Sequence, residues 1–174
     1  MSPDRSTPVA LETVRDSDLW DAIPDAERIV AAAVGAAFAE AGLVARPDAE
    51  LAVTLADDER LRELNGAWRD KDQPTNVLTF PAFEPDEMAD APMLGDVILA
   101  FETVAREARE QGKAVESHLA HLVVHGVLHL FGHDHLDEAE AEAMEALETR
   151  ALARLGIADP YAAQDVAQLA APAA

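Results

Sequence analysis

Around residues 115–130 the apolar residues Leu119, Leu122, Val123, Val124, Val127, Leu128 and Leu130 surround a helix axis on all sides. A helix so widely apolar belongs at the centre of a domain, so the rest of the chain has to fold around it. Into this helix the sequence sets His118, His121, His125 and His129, separated by three, four and four positions, which aligns them as one stripe. The segment continues through Gly132 to His133, Asp134 and His135. At 3.6 residues per turn His125 and His129 leave the same face, and a turn at Gly132 can bring His135 back toward them. Three imidazoles with an open fourth position is the arrangement of catalytic zinc, whereas structural zinc is usually closed by four ligands. His125, His129 and His135 are therefore the expected ligands of one zinc ion. His118 and His121, one to two turns earlier, read either as groups that orient the ligands or face a substrate, or as satisfied core histidines.

The chain contains no cysteine, which leaves imidazole and carboxylate as its strong metal donors. Its 174 residues suit one domain, and with aromatics at 5% the core has to be built mainly from alanine, leucine and valine. Strands are expected over residues 9–14, 51–55, 76–80 and 95–100. Helices are expected from Asp25 to about Gly42, after Asp57 or Asp58, over 101–111 with Gly112 at its end, from near Val115, and over 137–155 with Met144, Leu147, Ala151 and Leu155 inward. Residues 81–93, with the four acidic groups Glu84, Asp86, Glu87 and Asp90 and three prolines, read as an exposed, mobile loop. The order implies an α/β (α+β) fold: a single domain with a small mixed four-stranded sheet covered by helices, the histidine helix central. The domain is expected over 9–161, with a flexible tail at 1–8 and an alanine-rich tail at 162–174.

The spacing of the histidines and Gly132 matches the zinc-peptidase pattern H-E-x-x-H-x-x-G-x-x-H, except that Gly126 stands where the glutamate would be. That glutamate is the general base of peptide hydrolysis, so its absence counts against a peptidase. A glycine inside a helix costs about 1 kcal/mol against alanine, which suggests that another element approaches closely there. Asp96 and Asp134 are candidates to orient the imidazoles, and Asp134 alternatively caps the turn. In the polar segment after the second helix, Arg69 can fork onto a phosphate and stabilise transition-state charge; the alternative is a surface arginine.

The stretch H-G-x-L-H-L-x-G-x-D-H, here residues 125–135, is similar to the signature of the YbeY family of bacterial endoribonucleases, the rRNA maturation factors. The likeness extends to Leu64-Asn65 with Trp68-Arg69, to Pro74-Thr75-Asn76-Val77-Leu78-Thr79-Phe80, to Leu94-Gly95-Asp96-Val97, to Met144-Glu145 and to Asp159-Pro160-Tyr161. The resemblance covers roughly residues 50–161. It implies a zinc-dependent, single-strand-specific endoribonuclease acting in 16S rRNA 3′-end maturation and ribosome quality control. On this chain it would carry metal ligation onto His125, His129 and His135 and a catalytic or RNA-positioning role onto Arg69. The family often has tyrosine before Asp134, where this chain has His133.

The partners expected on this reading are single-stranded RNA, the 16S rRNA and the ribosome, without DNA or membrane. A formal net charge of −21 runs against a polyanionic partner. The basic residues are clustered, however: Arg60, Arg62, Arg69 and Lys71 fall within twelve positions, and Arg106, Arg109 and Lys113 precede the histidine helix. They make either a local positive groove or solvated helix faces. No apolar leader-like stretch opens the chain and the longest apolar run is short for a bilayer, so a cytoplasmic protein is expected. Three functions compete: an endoribonuclease, a zinc hydrolase of peptides or small molecules, and a non-enzymatic ribosome-associated factor whose metal only staples the fold.

Overall fold

The computed structural model describes residues 7–69, 75–134 and 136–161, the side chains of residues 67–69 excepted. Four strands form one mixed sheet: β1 (Ala10–Arg15), β2 (Glu50–Ala56), β3 (Val77–Pro81) and β4 (Met93–Ala100), in the order β1-β2-β4-β3. β1 and β4 both run parallel to β2, and β3 runs antiparallel to β4. Parallel neighbours need a crossover. The helix α1 (Ala26–Ala41) supplies the one from β1 to β2, starting after Asp25 and ending at Gly42 as its sequence signals indicate. The helix α2 (Asp58–Arg69) follows β2, with the Asp57 carboxylate accepting the Arg60 amide at 2.8 Å. The chain ends in α3 (Phe101–Glu110), the histidine helix α4 (Val115–Leu130) and α5 (Glu138–Arg154). The tails expected at 1–8 and 162–174 lie outside the described residues apart from Thr7 and Pro8.

Alternation divides the strands between two faces. Leu51, Val53, Leu55, Val97 and Leu99 belong to the main core with buried residues of α1, α4 and α5. Leu78, Ala56 and Ala100 point the other way and form a smaller core with Leu61 of α2. The main core is built largely from alanine, valine and leucine, and α4 contributes Leu119, Ala120, Leu122, Val123, Val124, Val127, Leu128 and Leu130 to it. This is the central, buried helix that its all-round apolar pattern requires.

Two elements differ from the expectation. A 3-10 helix, Asp18–Ala22, precedes α1 and buries Trp20 completely. The Trp20 indole N–H donates to the Ala56 carbonyl at 2.7 Å and its ring meets Phe101 edge-on. The acidic segment after β3 is not an open loop. It holds a second 3-10 helix, Pro85–Asp90, with a capping box between Glu84 and Glu87. Met88 and Ala91 are 1% and 3% exposed, and the apolar burial they bring anchors a segment whose charges suggested only solvent.

Gly126 shows why a glycine stands inside α4. A Cβ built there would lie 2.9 Å from Val97 Cγ1 and 3.4 Å from Thr79 Cγ2, side chains paired across β4 and β3. The helix backbone thus rests directly on the sheet. Gly126→Ala should destabilise the fold by about 1 kcal/mol, because overpacking against a stiff β-branched valine exceeds the gain in helix propensity. Urea unfolding measures this; a variant as stable as the parent would show that the sheet yields without cost.

Candidate functional site

With Gly126 against the sheet, the helical period turns the histidine stripe about a quarter turn away from it, toward α3 and α5. His125 and His129 are adjacent on that side, their ring centroids 4.6 Å apart and 73° between planes. Past His129 the chain turns at Gly132, whose φ of 95° favours glycine. A Cβ there would also lie 2.8 Å from Pro85 Cγ, so the turn is seated against the second 3-10 helix. His135, the third expected ligand, lies outside the described residues. Among the described residues no group of three His, Asp or Glu side chains is placed to hold a metal ion.

The stripe is organised by a residue that the sequence reading passed over. Glu148 of α5 is 1% exposed. Its Oε1 accepts from His125 Nδ1 at 2.6 Å and its Oε2 accepts from His121 Nε2 at 2.7 Å. The Tyr161 hydroxyl donates to Oε2 as well. Burial pushes the Glu148 carboxyl up, but the hydrogen bonds from His121 and His125 outweigh it and bring the group down to about 2. The Tyr161 phenol is raised well above its ordinary range, first by burial and then by the adjoining Glu148 carboxylate. A signal for Glu148 was present in the sequence. It falls four positions after Met144 and three before Ala151, on the inward face of α5.

His118 has a different partner. Its Nε2 donates to Glu107 Oε1 at 2.9 Å, and the Asn76 amide donates to the same oxygen at 3.0 Å. The Nδ1 atoms of His118 and His121 are buried, with no hydrogen-bond partner among the described residues. A cavity of about 210 Å³ runs along the stripe, lined by His118, His121, His125, Glu107, Lys113 and Tyr161 among others. On the far side, a cavity of about 280 Å³ separates His129 from the segment carrying Phe83, Glu84 and Glu87. The histidine pair therefore stands between two open pockets.

The other expected residues fall elsewhere. Asp96 faces the opposite side of β4 from Val97 and borders a cavity with Arg60 and Thr54, so it does not orient the imidazoles. Burial raises its carboxyl above the ordinary range. Arg69 closes α2 and its side chain lies outside the described residues. Arg60 pairs with Glu63 and Arg106 with Glu110 along their own helices, as solvated faces do. Lys113 differs: it lines the histidine cavity, and burial lowers its ammonium from the usual lysine range against the opposing charges of Glu107 and Asp159.

The donor set fits zinc in its chemistry. Neutral imidazole is a zinc ligand, and an ionised carboxylate on one ring nitrogen fixes the tautomer that ligates through the other. A Glu148 carboxylate on Nδ1 holds the His125 proton there, so that a ligating role would fall to Nε2. The comparison with the thiolate-free composition is consistent with the same choice.

Similarity searches agree on one family. The family model described as Endoribonuclease YbeY matches residues 17–156. A relative with that name from Rhodopseudomonas palustris (strain BisA53) is 53% identical over 161 residues, covering 91% of this chain and 93% of its own. One from Azorhizobium caulinodans is 54% identical over 152 residues, covering 87% and 96%. One from Agrobacterium fabrum is 62% identical over 118 residues, covering 67% and 70%. The span matched by the family model takes in the histidine stripe and Glu148.

Burial lowers His118 from its ordinary value of 6.5, while the hydrogen bond and charge of Glu107 oppose the shift and His121 and Lys113 add to it. The folded chain then keeps His118 neutral where the unfolded chain takes up a proton. The unfolded state binds more protons, so this contribution to stability is present above pH 6.5 or so and is lost as pH falls below it. The stability difference between the parent and His118→Gln should shrink on acidification, at up to about 1.4 kcal/mol per pH unit. Urea unfolding from pH 7 to 5 checks it; a difference that widens would mean that Glu107 wins and His118 is charged in the fold.

Proposed function

This chain belongs to the Endoribonuclease YbeY family, and we propose that it is a zinc-dependent endoribonuclease acting on single-stranded RNA, with His125, His129 and His135 as ligands of one ion. Its proposed place is in the cytoplasm, at the ribosome, in maturation of the 16S rRNA 3′ end and in ribosome quality control. No helix among the described residues is long and apolar enough to cross a membrane. The observation that carries the metal reading is the juxtaposition of His125 and His129 on a rigid buried helix, with the His125 proton held on Nδ1 by Glu148.

Bound zinc would supply a Lewis acid that activates water near neutral pH and draws charge from a phosphodiester oxygen. The chain's own groups then position the strand. The two pockets beside His125 and His129 give an RNA strand room on both sides of the histidines. Lys113 offers a cation in the first of them, and Arg69 is proposed to fork onto the scissile phosphate as charge builds on it.

The peptidase alternative is disfavoured by packing. Position 126 faces Val97 and Thr79, so a glutamate there would enter the sheet rather than reach the histidines. A metal that only staples the fold is the remaining alternative.

Cleavage of single-stranded and duplex RNA by the zinc-loaded and the chelated chain separates these readings. Single-stranded RNA should be cut only with zinc, and His125→Ala or His129→Ala should abolish both binding of the ion and cleavage. Arg69→Ala should lower kcat by a factor on the order of a hundred to a thousand with zinc content unchanged. Arg69→Lys should not restore it, because a point charge lacks the planar fork. Chelation should also lower the melting temperature, through linkage of metal binding to folding. Zinc-loaded protein that leaves RNA intact would favour the staple, and full-rate cleavage after chelation would remove the metal from the mechanism.

A further inference from the structure

A ligating histidine has to hold its ring at one angle and keep its proton off the ligating nitrogen. The helix backbone secures neither, since the imidazole χ2 torsion is broad and the tautomer is set by whatever the other nitrogen bonds. For His125 both tasks fall to Glu148, which in turn is held by two further donors, His121 Nε2 and the Tyr161 hydroxyl. Rotating the carboxylate to release His125 would break those bonds at a group only 1% exposed, where a hydrogen bond left unmade costs the desolvation of its partner. Tyr161 lies beyond α5, on a segment tied back to that helix. The Asp159 carboxylate accepts the Tyr161 amide at 2.8 Å and the Thr149 hydroxyl at 3.3 Å. The Tyr161 ring meets the His121 imidazole edge-on, with centroids 5.5 Å apart.

We propose that Glu148 is a positioning residue for the metal centre and that Tyr161 and His121 govern zinc affinity by clamping its carboxylate, so that the Asp159-Pro160-Tyr161 segment belongs to the site. The proposal rests on the reading that His125 ligates zinc. Glu148 itself touches neither metal nor RNA in it.

The chemistry of a glutamine at this position shows what the carboxylate does. With its oxygen toward His125, the amide N–H₂ faces the Nε2–H of His121 and can no longer accept from it or from Tyr161. With the amide nitrogen toward His125, the imidazole proton moves to Nε2, the nitrogen zinc requires. Each orientation loses one function that the carboxylate combines.

The test uses the full chain, zinc titrated in competition with a chromophoric chelator, and ¹⁵N NMR of the histidine rings in the metal-free protein. The parent should show His125 as the Nδ1–H tautomer. Glu148→Gln should weaken zinc binding about 10- to 100-fold and perturb that tautomer. Tyr161→Phe keeps the ring and removes one donor, and should weaken zinc binding by a smaller factor, on the order of five-fold. The melting temperature of each metal-free variant controls for loss of fold. Should Glu148→Gln fail to fold, Tyr161→Phe decides the question alone. A purely structural Glu148 would lower the metal-free melting temperature while leaving zinc affinity and the His125 tautomer at parental values, which overturns the proposal and leaves the zinc reading standing. If His125→Ala binds zinc as tightly as the parent, the zinc reading falls and takes the proposal with it.

Discussion

The contact of α4 with the sheet at Gly126 is the constraint on which the rest of the architecture depends. With no side chain at that point, the helix backbone lies against Val97 and Thr79, and its remaining apolar residues fill the space under α1 and α5. Because the helical period is fixed, seating residue 126 on the sheet also decides where residues 118, 121, 125 and 129 point. The histidines are carried to the one flank where α3 and α5 bring carboxylates to meet them. Packing and site geometry are thus consequences of the same rotation about one axis, and the residue that permits it is the one that departs from the peptidase pattern.

The carboxylates on that flank also bear on the charge of the molecule. A net charge of −21 gives an RNA strand no long-range attraction, and it should slow encounter rather than speed it. Yet Glu107 and Glu148, two acidic groups that meet the stripe, are committed to imidazole donors. Part of the remaining excess is on the exposed side of α5, where Glu138, Glu140, Glu142 and Glu145 face water. At physiological ionic strength such charges are screened beyond about 8 Å. Local composition at the pocket, including Lys113, therefore matters more to a bound strand than the sum over the chain.

Sequence periodicity was sufficient for the regular elements because their burial is amphipathic and local. The four strands, the five helices and the central place of α4 follow from where apolar residues recur, and the close approach at Gly126 follows from the cost of a helical glycine. What escaped is what depends on single contacts between distant segments. Trp20 is buried through one carbonyl of β2, and Met88 anchors a segment that composition alone makes look solvated. Asp96 is a candidate to orient the imidazoles by residue type alone, but strand alternation puts it on the other face from Val97. Glu148 sits in a glutamate-rich helix where one more acidic residue attracts no notice. Only its register with Met144 and Ala151 distinguishes it, and register shows that a position is inward without showing which histidines it meets.

That difference explains why a ligand pattern is more readily legible than the site that makes it work. The i, i+4 spacing of His125 and His129 is a property of one helix, so it survives as a string. The state of the imidazoles is not: it needs an acceptor from α5, 23 residues away from His125, and a phenol 13 residues further along. A buried carboxylate is tolerable only while its hydrogen bonds persist, since an unpaired charge in that position would cost several kcal/mol. Its burial therefore favours a closed arrangement in which α4, α5 and the segment after α5 are assembled together. On the proposed reading the histidine helix would supply two of the ligands, and the readiness of His125 to bind would be a property of three elements joined at one carboxylate.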